Sequence, residues 1–159
     1  MPDETPTTLT EEQFHKKMAV DLFNHTWDLI GKADRTPEDD LEMVHSAHAS
    51  RWHWGRVGTP LNFQRGEWQV SRVHALLKRA EPAQYHAKSC LALTEANNIK
   101  DFDLGFAYEA MARAHAVAGN DAETAKYLEL ARDAAEQIEK KEDREYFEGE
   151  LKTIPGWGN

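Results

Sequence analysis

The strongest constraint in this sequence is that its middle repeats. Val70, Ser71, Arg72 and His74 recur 41 positions later as Met111, Ala112, Arg113 and His115, and Ala83, Ala87 and Cys90 recur as Thr124, Leu128 and Ala131. Periods of this size belong to stacked supersecondary units, each of which needs a neighbour to bury its apolar face. Apolar residues in both copies recur at intervals of three and four, the helical interval, and no stretch alternates as a strand would. The chain is therefore expected to be all-α, a stack of antiparallel helical hairpins.

Start and stop signals divide it into six main helices and a short seventh. Thr10 with Gln13 forms a capping box, with Leu9 and Phe14 as a staple, and opens a first helix to about Lys32 through Phe14, Met18, Leu22, Trp27 and Ile30. Thr36-Pro37-Glu38-Asp39 opens a second, with an apolar face of Leu41, Val44, Ala47 and Trp52 and a stop at Gly55. Gly55 to Pro60 is the clearest break. Helices are expected over 62–80, with Val70, Val73 and Leu77 on one face, and over 82–96, 101–118 and 121–140. A capping helix over 143–154 carries Tyr146, Phe147, Leu151 and Ile154. One domain, 1–159, results: a flexible 1–9, a degenerate first hairpin over 10–55, two repeat-like hairpins over 60–138, and the cap.

Over residues 64–138 the sequence resembles the tetratricopeptide repeat. The better copy, Gly105 to Ile138, has Ala112 and Ala131 at the two small-residue positions and Gly119-Asn120 at the turn. The weaker, 64–97, has Ser71, Ala83 and Cys90 in those roles. Departures are the histidine where the first helix usually ends in an aromatic residue, the absent closing proline, and a period longer than the family's 34. The resemblance implies a TPR-like α-solenoid whose first helices line a concave, peptide-holding groove. It would place Arg65, Trp68, Arg72 and Leu76 on that surface, joined by Phe106, Glu109, Arg113 and Val117.

Charge narrows the partner. The chain carries a net −9, but residues 51–100 hold 8 Lys/Arg against 3 Asp/Glu, and both flanks are acidic. An acidic protein is a poor general nucleic-acid binder, since that binding rests on neutralising phosphates. Its basic middle favours an acidic peptide or protein, or a small anion. The N-terminal residues lack a signal peptide's basic start and apolar run. No stretch approaches the roughly 18 apolar residues of a membrane helix. The single Cys90 excludes an internal disulfide and is expected to be a buried hydrophobe. A cytoplasmic, soluble protein without membrane contact is the expectation.

The candidate ligand-binding residues are Arg51, Trp54, Arg65, Trp68, Arg72, Phe106, Glu109 and Arg113. Arginine's planar fork suits carboxylate or phosphate, and Arg51-Trp52-His53-Trp54 adds hot-spot residue types at the groove entrance, Trp52 itself being expected in the core. No phosphate loop, metalloprotease helix or nucleophile elbow occurs, so no catalytic residue, cofactor or metal is assigned. The leading reading is a non-enzymatic helical-repeat binding module. The alternative is a small His/Glu metal-dependent enzyme within the first two hairpins. Glu42, His45 and His48 show the Glu-x-x-His spacing of di-iron bundles, and Asp21 and His25 are further ligand candidates. Because only one such motif occurs, His45 and His48 are expected to be neutral and partly or fully buried, with no tightly bound metal, and His74 and His115 lie among apolar neighbours. A third reading is homo-oligomerisation through the end helix.

Overall fold

In the computed structural model, which describes residues 6–158, the chain is all helical, with no strand among those residues. Its elements are α1 (Glu11–Ile30), α2 (Pro37–Val57), α3 (Pro60–Leu76), α4 (Ala80–Ala96), α5 (Asp101–Ala118), α6 (Asp121–Glu136) and α7 (Lys141–Leu151). Most of the N-terminal stretch expected to be flexible lies outside the described residues. Connections of two to six residues leave no room for crossovers. The packed pairs α1–α2, α3–α4 and α5–α6 are therefore antiparallel hairpins. Neighbouring hairpins join through α2 on α3, α4 on α5 and α3 on α5, and α7 closes the end against α5 and α6.

Local chemistry explains most boundaries. Thr10 and Thr36 cap α1 and α2 with reciprocal boxes to Gln13 and Asp39. Helices α3, α4 and α5 share one ending. Lys78, Asn98 and Gly119 adopt φ of 59°, 52° and 76°, and the next residue's N–H reaches back to the carbonyl of His74, Thr94 or His115. That left-handed closure satisfies carbonyls the helix leaves open. Lys78 and Gly119 are again 41 positions apart, so the repeat extends to backbone conformation.

Two expectations need correction. Gly55 does not end α2, which runs on to Val57 and is closed by Gly58, because a glycine inside a packed helix costs only about 1 kcal/mol. The apolar face expected for α2 holds only in part: Ala47 is buried and Val44 packs against the core, but Leu41 and Trp52 are exposed at 57% and 58%, and Met43, Ser46 and Ser50 are buried instead. The small polar residues fit there because Ser46 bonds Thr26 Oγ1 at 2.7 Å and Ser50 donates to the Ala19 carbonyl at 2.7 Å.

The repeat's small positions are all interior. Ser71 and Ala112 on the first helices, and Cys90 and Ala131 on the second, lie at 1% exposure or less. Ser71 Oγ donates to the Ala83 carbonyl at 2.8 Å, a contact that needs α3 and α4 close together. Burial pushes the Cys90 thiol well above its ordinary range, so it remains a protonated packing group. Enlarging Ala112 or Ala131 to leucine should overpack a junction and cost about 1–3 kcal/mol. Ala122→Leu, at an exposed position, should be nearly neutral, and thermal melts of the three compare them directly.

Candidate functional site

A cleft of about 370 Å³ opens along α1, α3, α5 and α7. Aromatic rings supply its walls: Phe23 and Trp27 from α1, Trp68 from α3, Phe102 and Phe106 from α5, and Tyr146 from α7. Trp68 lies 5.4 Å from Trp27 and meets Phe106 edge-on at 5.4 Å, and Phe102 stands 4.7 Å from Phe106. Edge-to-face and offset contacts of this kind favour fixed ring positions. Gln64, Arg65 and Asp103 supply the polar atoms. Gln64 is held by bonds to Thr94 Oγ1 and the Asp103 carbonyl. Arg65 clasps Asp103 with two bonds, at 2.8 and 3.0 Å, while its side chain stays 49% exposed.

Two further depressions adjoin this cleft. Trp54 lines one with Val20, Phe23 and Asn62, and Lys100, Lys140 and four acidic residues surround the other. Arg65 borders all three hollows, so they adjoin one another around its side chain.

Behind the aromatic wall is a buried charge network. Glu109 has no exposed surface, and its carboxylate accepts from Trp68 Nε1 at 2.8 Å, Arg72 Nη1 at 3.2 Å and Arg113 Nε at 2.6 Å. Arg72 also reaches Glu150 at 3.0 Å, and Arg113 reaches Thr153 Oγ1 at 2.8 Å. The two repeat-related arginines thus do converge from α3 and α5. What they grip is Glu109 rather than a ligand. Glu109, Arg72 and Arg113, expected on the groove surface, stand behind it and fix the Trp68 ring, because three buried charges must satisfy one another.

Among the other candidate residues, Trp68, Phe106 and Arg65 line the cleft and Trp54 its adjoining hollow. Arg51 does not line these hollows. It pairs with Glu67 at 3.0 Å and lies over the Phe63 ring. Sequence reasoning missed Phe23, Trp27, Phe102 and Tyr146. The pair Phe23 and Trp27, one helical turn apart, is the signal that the first helix also lines the groove.

The histidines also depart from expectation. His45 and His48 are exposed, because the buried face of α2 points away from them. Glu42 meets His25 at 3.2 Å instead of joining them. His74 and His115 are buried at 6% and 8% exposure. His115 stacks on Tyr127 and contacts Gln84 and Asn120, a packing role. His74 Nε2 lies 3.1 Å from His48 Nε2, with the His86 ring stacked 6.0 Å away. Burial, then the neighbouring His48 and His86, lowers the His74 pKa to about 4, and burial followed by His86 lowers that of His48.

No family model, curated protein or solved structure matches the chain. No helix among the described residues is long and apolar enough to cross a membrane.

Proposed function

We propose that this chain is a non-enzymatic, TPR-like binding module that holds a peptide in the groove formed by α1, α3 and α5. The observation that carries the reading is the aromatic cleft, with further hollows adjoining it at Arg65. An open apolar hollow of this size, with few polar atoms at its edge, has the ordinary form of a recognition pocket. The adjoining hollows suit an extended chain better than a compact small molecule. The anchor is an aromatic or large aliphatic side chain set among Trp27, Trp68 and Phe106, the residue types that dominate binding hot spots.

The small-anion version of the reading has less support. Arg72 and Arg113 are spent on Glu109 and Glu150, and Arg65 is shared with Asp103. Affinity would then come from ring packing, with the exposed edge of Arg65 adding a preference for a neighbouring carboxylate on the peptide.

Selection from a random peptide library tests this. Enriched peptides should share an aromatic or large aliphatic residue and change the fluorescence of the cleft tryptophans at one peptide per chain. A Phe102→Ala/Tyr146→Ala variant should bind them about 2 kcal/mol more weakly, roughly thirtyfold. Binding should change little between low and moderate salt, because screening acts on exposed charge pairs and hardly on buried apolar contact. Peptides that bind wild type and the double variant equally, or not at all, would contradict the proposal.

A further inference from the structure

A second constellation lies outside the cleft, where α2, α3 and α4 meet. His48, His74 and His86 each present a ring nitrogen within 4.8 Å of the other two. We propose that these three imidazoles form a zinc site with an open fourth position. Tetrahedral zinc, at about 2.0–2.1 Å from each nitrogen, holds its ligand atoms roughly 3.3 Å apart. The His48 and His74 Nε2 atoms stand at 3.1 Å already. The His86 nitrogen lies within 4.8 Å of the other two, and a small shift of its half-buried side chain toward them completes the set.

Surrounding residues orient the ligands. His86 Nδ1 donates to Glu67 Oε2 at 2.6 Å, which fixes the tautomer and leaves Nε2 carrying the lone pair. Glu67 is steadied by Arg51 at 3.0 Å. Burial alone would raise the Glu67 carboxyl, but its bonds from His86 and Arg51 prevail and keep it below the usual range. A carboxylate behind a ligating histidine is the outer-shell arrangement of zinc centres. His74 is the buried floor of the site and its Nδ1 has no hydrogen-bond partner. Without a metal, the 3.1 Å approach to His48 requires one imidazole to donate and the other to accept. With a metal, both lone pairs point at one cation. His48 is exposed, so the fourth position faces water. Three neutral nitrogen ligands plus a solvent molecule is the composition of zinc sites that keep an exchangeable position, and imidazole suits zinc and its cobalt surrogate over magnesium or calcium.

The test uses full-length protein stripped with a chelator, then titrated with Co²⁺ alone and with Zn²⁺ in competition. One Co²⁺ per chain should bind and give the visible absorption of a four-coordinate ion, Zn²⁺ should displace it, and azide should shift the spectrum by entering the open position. Glu67→Gln should weaken binding about 10–100-fold, and His48→Ala or His86→Ala by more than that. His45→Ala and His53→Ala, which alter nearby exposed or half-buried histidines outside the set, should leave it unchanged. Helical circular dichroism establishes that each variant is folded, and exposed His48 can be replaced without removing a buried side chain. No saturable one-to-one uptake by wild type, or uptake that survives in His48→Ala and His86→Ala, overturns the proposal. A cobalt spectrum that azide does not alter overturns the open position.

Discussion

Replacing Glu109 with alanine should destabilise the protein by about 3–5 kcal/mol, the largest effect expected of any single polar change in this chain. Its carboxylate has no exposed surface and is shared by Trp68, Arg72 and Arg113. Deleting it leaves the buried Arg113 guanidinium and the Trp68 indole N–H short of an acceptor, and takes from Arg72 one of its two carboxylates. Arg72 keeps the Glu150 carboxylate, and Arg113 keeps Thr153 but loses its carboxylate partner at 2.6 Å. Glu109→Gln should recover little, because the amide nitrogen faces groups that only donate. Replacing Glu109, Arg72 and Arg113 together with Leu, Met and Met should restore most of the stability, since the cost lies in unpaired charge rather than in lost attraction. Chemical denaturation measures all three. A loss below about 1 kcal/mol for Glu109→Ala would mean that water reaches the site and the network is a surface one.

Phe147→Ala should cost about 3–5 kcal/mol, from lost burial and from the cavity left behind. Phe147 is fully buried and meets Phe106 edge-on at 4.9 Å, fastening α7 to α5. Opposite it is Gly105, where a Cβ would stand 2.9 Å from Phe147 Cζ. That close approach makes the two positions couple. Gly105→Ala alone should destabilise by about 1–3 kcal/mol through overpacking. In the Phe147→Ala background the same change should be neutral or favourable by up to about 1 kcal/mol, since alanine is the better helix former and the ring is gone. Peptide affinity should fall with Phe147→Ala as well, because the adjacent Tyr146 edge of the cleft depends on α7 staying docked. Equal costs of Gly105→Ala in both backgrounds would show that the helices do not meet there.

The repeat made much of the fold legible. It placed the small residues Ser71, Ala112, Cys90 and Ala131 in the interior, and the capping box at Thr10 and the capping residue Thr36 are visible from residue type alone. The face of α2 was legible only at Val44 and Ala47, because the rest of its buried side is built from Met43, Ser46 and Ser50. Apolar periodicity cannot see two serines whose hydroxyls are satisfied by Thr26 and the Ala19 carbonyl. The same buried side is also why Trp52, His45 and His48 are outside.

The candidate site was legible by half. Repeat alignment brought Arg72 and Arg113 to one place, but a sequence does not reveal which acid will neutralise them. Glu109 lies one helical turn before Arg113, and the contact from Arg72 is made only when α3 packs on α5. Trp68, Phe106 and Arg65 followed from what the repeat resemblance implies, with helical spacing setting Arg65 and Trp68 on one face, whereas Phe23, Trp27 and Tyr146 come from elements outside the repeat. The histidine cluster draws one residue from each of three helices, at spacings that match no linear motif.

The five tryptophans offer a direct test of where a peptide binds. With 5-fluorotryptophan incorporated throughout and each resonance assigned by single Trp→Phe replacement, fluorine NMR can follow titration with a library-selected peptide. Binding in the cleft should move the Trp27 and Trp68 signals, with a smaller change at Trp54 in the adjoining hollow. Trp52, exposed beside His15 and His53, and Trp157, packed under Arg132, should not respond. Saturable binding that shifts Trp52 or Trp157 while leaving Trp27 and Trp68 in place would contradict the groove as the recognition site.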